Sequence, residues 1–471
     1  MSAVSAARLE ELLGQWRRGG RAADRLAATV RALILDGQIP LQSQLPAERG
    51  LAAALGLSRA TVTHAYNRLR AEGYIASQQG SGSWVTIPGG HGAAADAELA
   101  AGELDLRIAA LPAPAIIEEL SAAAAAELPR WLDHHGYDPL GLPPLRAAIA
   151  ARFTARGLPT SPEQILVTNG ALQALDIAIR ALVAPGRTVL AEIPSYPAAL
   201  DALRAARARL RTVPVTADGW DLDALESVAH EHKPALAYLM PDFQNPTGAL
   251  IGAGGRRRAM RALRRAGTHV VIDETFVELG LDERPPAPMA AGDDRQTITI
   301  GSLSKSVWGG LRIGWARADF TLVRRLAAER AKIDLASPVL EQLLATQILE
   351  HLDDIVTERR EVISARRAAL MTALSDQLPQ WRYRRPAGGL FLWAQLPDPV
   401  STSLAVRARE HGLAMTPGPR FGSAGLLERY VRIPYSLPPD QLERAVSILA
   451  RVAADAGGRV ERAEAGLRYV A

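Results

Sequence analysis

This sequence of 471 residues predicts a two-module α/β protein: a small helical head closed by a hairpin, then a large body on a mostly parallel sheet. Three observations carry that expectation. Over residues 26–87, helical patterns meet at a glycine turn and a strand–turn–strand pattern follows. From about Glu103, strand-length apolar runs alternate with amphipathic helical patterns, as in a sheet covered on both faces. Between them, residues 88–102 begin Pro-Gly-Gly-His-Gly and turn alanine-rich, which reads as a linker.

Composition narrows the function. The length allows two or three domains, each with its own core, and 48% hydrophobic residues suits globular packing. There is no cysteine, which excludes disulfides, thiolate catalysis and zinc–thiolate sites. No His-Glu-x-x-His pattern occurs, and His230-Glu-His232 reads as a polar helix end, so no metal site is expected. No secretory apolar core and no membrane-length apolar run is found, so residence in the cytoplasm, away from membranes, is expected. Net charge is +4, and all of the excess lies in residues 1–90, which hold ten arginines and six acids. Arginine clustered in a small unit points to a polyanionic partner.

In the head, Leu26, Val30, Leu33 and Ile34 lie on one face of a first helix. Pro46 to Leu55 reads as a second helix with proline at its start. Gly56-Leu-Ser58 makes a tight turn, with Ser58 as N-cap of a third helix from Arg59 to Ala71. That helix turns Val62, Ala65, Tyr66 and Leu69 inward and leaves Arg59, Thr61 and His64 on its polar side. Gly73-Tyr-Ile begins a strand, Gln79 to Gly82 forms a turn, and Ser83 to Ile87 returns. Ahead of this unit, residues 1–25 carry Leu9, Leu12, Leu13 and Trp16 on one helical face, a packing extension.

The head resembles the winged helix-turn-helix of GntR-type regulators. The matching residues are Leu45-Pro-Ala-Glu-Arg49, Leu57-Ser-Arg-Ala-Thr-Val62, Ala65-Tyr-x-x-Leu69, Glu72-Gly-Tyr74 and Gly80-Ser-Gly82. The family's glycine before the Leu-Pro pair is missing in Pro40-Leu-Gln-Ser-Gln44. The resemblance implies a double-stranded DNA operator touched by Arg49, Arg59 and Thr61, with Ser58, His64 and the wing's Gly82 beside them.

In the body, strands are expected at Ile165–Thr168, Thr188–Ile193, Leu210–Val215, Leu236–Met240, His269–Asp273 and Thr297–Ser302. Helices are expected at Ala171–Leu182, Tyr196–Ala206, Leu222–His230 and Gly254–Ala266. Ligands of such sheets sit beyond the carboxyl ends of the strands, and the polar candidates fall there. Gly170 and Ala171 open a helix whose free N–H groups suit a phosphate. Tyr196 can lie against an aromatic ring. Asn245-Pro-Thr-Gly248 presents an amide at a constrained turn, and Asp273 ends its strand with a carboxylate suited to a pyridine nitrogen.

Only three of the 54 basic residues are lysines, and one stands in Ser302-Leu-Ser-Lys305, with Arg312 downstream. An ammonium can lose its proton and form an imine with an aldehyde, whereas a guanidinium stays protonated. Serine, lysine and arginine so spaced make a seat for pyridoxal 5'-phosphate (PLP), with an imine at one end and a phosphate at the other. The Ser-x-x-Lys of penicillin-recognising enzymes needs a Ser-Asp-Asn and a Lys-Thr-Gly, and neither occurs. No Gly-Lys pair exists either, which removes a Walker phosphate loop.

Taken in order, these residues resemble the fold type I aminotransferases over residues 103–471, with a smaller C-terminal α+β part from about 345. Tyr137-Asp-Pro-x-Gly141, Gly388-Gly-Leu-Phe-Leu-Trp393 and Val431-Arg-Ile433 also match. The resemblance implies PLP on Lys305, Tyr137 reaching the cofactor phosphate of a neighbouring subunit in a homodimer, and Arg432 gripping an effector carboxylate. One departure stands out: Asp273-Glu-Thr-Phe276 puts phenylalanine where the family places a tyrosine facing the ring oxygen, leaving that oxygen to Asn245. The two modules together resemble the MocR subfamily of bacterial regulators. That implies transcriptional control in response to PLP or a small amine or amino acid. Two other classes stay open: a working aminotransferase with an accessory head, and a regulator whose body is only a dimerisation scaffold.

Overall fold

The structure, a computed structural model, describes residues 3–467 except 15, 18–20, 79–81, 89–101, 134, 217, 292–294 and 423–425. Most of the expected linker and the turn at Gln79–Ser81 lie outside the described residues. So do side chains beyond 454 in the last helix, Pro439–Leu467.

The head comprises α1 (Ala6–Leu13), α2 (Ala22–Leu35), α3 (Glu48–Leu55) and α4 (Arg59–Ala71). A three-stranded sheet closes it, with β1 (Gln44–Leu45) on one side of β3 (Gly82–Val85) and β2 (Ile75–Gln78) on the other. The short β1 had no sequence signal: two residues carry no periodicity, and only pairing with Ser83 and Trp84 makes them a strand. Pro46 lies just before α3 rather than inside it, because the helix begins at Glu48. Gly56 caps α3 in the left-handed region (φ 58°), which turns the chain into α4. Ser58 Oγ accepts from Thr61 N at 3.1 Å, as an N-cap should.

Leu26, Val30, Ile34, Val62, Ala65, Tyr66 and Leu69 fill the head's core, joined by Leu9, Leu13 and Trp16 of the extension. Burying each such large apolar side chain contributes about 1.5–3 kcal/mol, so the head carries its own stability. The extension therefore packs on the winged unit. Val406, from the body helix Ser401–Glu410, also joins this core. Glu428 packs against Gly37, where an added Cβ would meet its Cγ at 3.2 Å. The head thus rests on the smaller part of its own chain's body.

In the body, β4 (Leu104–Asp105) leads to an eight-stranded sheet. Its strands are β5 (Ile165–Thr168), β6 (Thr188–Ile193), β7 (Arg209–Thr216), β8 (Gly219–Trp220), β9 (Leu236–Leu239), β10 (His269–Asp273), β11 (Thr297–Ser302) and β12 (Gly314–Arg317). They run in the order β5-β12-β11-β10-β9-β6-β7-β8. Only β12 and the edge strand β8 are antiparallel to their neighbours. The sheet is therefore mostly parallel, as expected, with strand bounds within a residue of the sequence reading. Alternate residues serve two cores. Val271 faces one and Val270 and Ile272 the other, so both faces are covered. The smaller part carries β13 (Arg382–Tyr383), β14 (Phe391–Gln395) and β16 (Tyr430–Pro434), while β15 (Leu413–Ala414) pairs in parallel with β4. No helix among the described residues is long and apolar enough to cross a membrane.

Candidate functional site

At the carboxyl ends of the parallel strands an open cleft of about 1060 Å³ is lined by Gly170, Ala171, Tyr196, Asn245, Asp273, Ser302, Lys305, Arg312 and Arg432. The fold thus brings together nine of the sequence candidates, spread along the chain from Gly170 to Arg432. Tyr137 is not among them. It is 62% exposed and lies away from its own chain's cleft.

Lys305 Nζ donates to Ala109 O at 2.8 Å. Burial, then the positive field of Arg432, pulls this ammonium down from its ordinary 10.5 to about 8, against the opposing pull of Asp273. A neutral amine near physiological pH is what attack on an aldehyde requires. Because the folded value lies below the unfolded one, the unfolded chain binds more protons between about pH 8 and 10.5. This group's contribution to stability therefore rises with pH across that window. Accordingly, the cofactor-free protein should capture pyridoxal with a rate that climbs through a midpoint near pH 8. Stopped-flow absorbance over pH 6.5–9.5 measures it, and a midpoint near 10.5 would contradict the buried setting.

Asp273 closes the far end of β10. Its Oδ2 accepts from Tyr238 Oη at 2.7 Å and its Oδ1 from Thr275 N at 2.9 Å and from Thr275 Oγ1. Burial pushes this carboxyl up, and those hydrogen bonds pull it back toward the ionised form. Burial also raises Tyr196, with the Asp273 charge adding to it.

At the other end, Gly170 sits at φ 97° as N-cap of the helix Ala171–Leu182, with no side-chain cap on its first turn. Those N–H groups face the same cleft as Arg312, whose Nη2 donates to Asn169 O at 2.8 Å. A Cβ at Gly170 would come within 2.8 Å of that Nη2, so glycine keeps the cradle open. Ser302 caps the short helix Leu303–Ser306; its hydroxyl donates to Ile313 O at 3.0 Å and lies 2.8 Å from Ser304 Oγ. Ser304 also lines the cleft.

Arg432 is buried between Phe391 and Phe421, 5.7 and 5.0 Å from their ring centres. Its Nη1 reaches Asn245 Oδ1 at 3.3 Å, its Nη2 donates to the Arg107 carbonyl, and its Nε has no acceptor among the described residues. Burial lowers it to about 10. A desolvated guanidinium resting on neutral acceptors and facing an open cleft suits an incoming carboxylate. Phe276 also lines the cleft, its ring edge-on to Phe391 at 5.1 Å, so no hydroxyl stands at that position.

The sequence reading missed Tyr238, Thr275 and Ser304. Ser304 lies inside the Ser-Leu-Ser-Lys tetrapeptide already singled out. Tyr238 had a weaker signal: a tyrosine inside a buried apolar strand needs a partner for its hydroxyl. The donor set fits PLP: a free helix N-terminus and guanidinium for a phosphate, a carboxylate for a pyridine nitrogen, and a deprotonatable amine between them.

The second site lies on α4. Arg49, Ser58, Arg59 and His64 are exposed, and Arg59, Thr63, His64 and Asn67 line one open groove with Glu48. Thr61 is half-buried and tied to Ser58, its hydroxyl 2.8 Å from Ser58 Oγ, so it shapes the start of the helix. Gly82 lies against the Gln44 side-chain amide at the base of the wing, and its φ of 91° favours glycine there.

Residues 97–449 match the aminotransferase class I and II family, and residues 22–85 match the bacterial regulatory proteins of the gntR family. The chain belongs to the aminotransferase class I and II family and carries a gntR-type head. Among relatives of this aminotransferase-family chain, the 2-aminoadipate transaminase of Thermus thermophilus is 36% identical, over 69% of this chain and 84% of that protein. The probable rhizopine catabolism regulatory protein MocR of Rhizobium meliloti is 34% identical, over 62% and 64%. The HTH-type transcriptional regulator TauR of Rhodobacter capsulatus is 27% identical over 91% and 95%, head included. The crystal structure of the α-aminoadipate aminotransferase LysN from Thermus thermophilus, complexed with N-(5'-phosphopyridoxyl)-L-leucine, superposes with a TM-score of 0.69. It shares 34% identity and covers 75% of this chain and 92% of that one.

Proposed function

We propose that this MocR-type regulator holds PLP on Lys305 and uses it to sense a small amine or amino acid, and that the signal alters how the head binds a DNA operator. The observation that carries this reading is the seating of Lys305, Asp273 and Arg432 in one cleft of a chain that also presents an open recognition helix. When bound, PLP supplies an aldehyde that primary amines capture and a ring that withdraws electrons. The first turn of Ala171–Leu182, Ser302, Ser304 and Arg312 hold its phosphate. Asp273 keeps its pyridine nitrogen protonated, Asn245 meets its ring oxygen, and Tyr196 lies against the ring. Arg432 would hold the effector's carboxylate, with the effector's amine directed at the end of the cleft that Lys305 occupies.

The route to the head is short. Arg432 lies on β16, and Glu428, two residues before that strand, both packs on Gly37 of the head and binds Thr402 N and Oγ1 at 2.9 and 2.7 Å. An effector shifts DNA binding only through a different affinity for the two arrangements of this contact. The body also exposes Ile108, Leu132, Leu172, Trp308 and Leu340, apolar surface suited to a homodimer in which Tyr137 serves the partner's cofactor.

The test is a titration of the purified protein with PLP and then with amines, read by absorbance and, in parallel, by operator binding. Absence of the imine band, or an operator affinity that ignores every amine, sinks the reading. Kinship with a transaminase favours a second reading, catalytic turnover, while Phe276 weighs against it. Sustained exchange between amino acid and keto acid would decide for it. In the head, Arg59 is largely exposed and held only by a long 4.0 Å ion pair from its Nε to Glu48, a contact that a base edge could replace. Arg59→Ala should weaken operator binding by ~1–3 kcal/mol and relax specificity at one position. Fluorescence anisotropy on operator and scrambled DNA measures both, and unchanged binding removes Arg59 from the interface.

A further inference from the structure

We infer that Tyr238 is a positioning residue for the cofactor: its phenol holds Asp273 in the ionised, oriented state that a pyridine nitrogen needs. The inference rests on the PLP reading above and adds to it a group from a neighbouring strand. Tyr238 lies on β9 and Asp273 on β10, which pair in parallel with Tyr238 opposite Val271. The tyrosine is wholly buried, yet both residues border the cleft. The 2.7 Å bond from Tyr238 Oη to Asp273 Oδ2 leaves Oδ1 to the two Thr275 donors. Three donors thus converge on one carboxylate from two strands' ends, with no cation bonded to it among the described residues. Donors to the charged form favour ionisation, and removing one favours protonation.

The consequence appears in cofactor binding. Free Asp273 must be ionised to receive a pyridinium, so at acid pH binding has to expel a proton. Affinity then falls as pH drops through the carboxyl's titration. Without the Tyr238 hydroxyl that titration moves to higher pH. The other titratable groups that act on Asp273 or feel its charge are Glu274 beside it, Glu192 on β6, Tyr196 and Lys305. All are shared by wild type and variant, so the ratio of the two affinities isolates the phenol's effect.

The experiment measures PLP affinity by absorbance and fluorescence quenching from pH 5 to 8, for wild type, Tyr238→Phe, Asp273→Asn and the double variant. Tyr238→Phe should shift the acid limb up by about one pH unit. Affinity should then fall about tenfold at the acid end and change less than about threefold at pH 8. In the Asp273→Asn background the same substitution should give a ratio independent of pH. A flat ratio in the aspartate background marks mere packing and overturns the inference, as does a pH-dependent ratio that persists with asparagine. If Tyr238→Phe does not fold, Thr275→Val removes a donor from the other oxygen and must shift the limb in the same direction. Wild type that fails to bind PLP at any pH sinks the functional reading itself. Wild type that binds, with a flat ratio, sinks only the role given to Tyr238.

Discussion

Lys305→Ala protein is expected to remain without the imine absorbance at any PLP concentration, to resist borohydride trapping, and to lose the operator response to amines entirely. Alanine removes the only lysine that lines the cleft among the described residues, and neither Lys233 nor Lys332 can substitute, since they do not line it. The phosphate cradle at Gly170 and Arg312 survives, so weak reversible PLP binding should persist, which equilibrium dialysis can measure. Lys305→Arg separates charge from chemistry: it restores a cation but not the imine, because a guanidinium keeps its proton. Basal operator affinity should stay close to wild type in both variants, because among the described residues the head's buried core draws only Val406 from the body. An operator response to amines equal to wild type in both variants would refute sensing through this residue. The body would then serve as a scaffold for the head.

How much of this was legible in the sequence follows from the length scale of each feature. The strands around the cleft announce themselves because a parallel strand buried on both faces is a continuous apolar run, as in Val270-Val-Ile. Asp273 and Ser302, which end their strands in polar groups, were legible for the same reason, and Gly170 and Asn245 follow in the loops beyond their strands: a sharp change from apolar to polar marks a strand's mouth. For Tyr238 only the need of a partner was legible and not which one, because that depends on which strand lies beside β9, and that pairing crosses an intervening loop and helix. The contact between Glu428 and Gly37 was hidden more deeply, since nothing local in either segment encodes the other. Tyr137 illustrates the opposite limit: its motif was legible, but it stands exposed outside its own chain's cleft.

Arg432→Met should cost an amino-acid effector ~2–4 kcal/mol of affinity, roughly 30–1000-fold, while an amine of the same side chain without the carboxylate binds about as well as before. Methionine keeps the apolar contact with Phe391 and Phe421 and removes the charge together with its hydrogen bonds to Asn245 and the Arg107 carbonyl. The guanidinium of wild type rests on the Arg107 carbonyl and Asn245 Oδ1, with Nε unmatched, so it is poorly compensated until a carboxylate arrives. A buried cation without a counter-ion is costly, and an arriving anion recovers that cost, which makes the discrimination large. A second readout comes from Lys305. Arg432 is one of the charges that depress its ammonium, so the pH midpoint of PLP capture should move up from about 8 in the variant. Paired titrations with an amino acid and its decarboxylated amine, each followed by absorbance and by operator binding, test both effects. Equal losses for the two ligands would mean that Arg432 braces the cleft without reading the carboxylate. An unmoved midpoint would place it electrostatically out of Lys305's reach, despite their shared cavity.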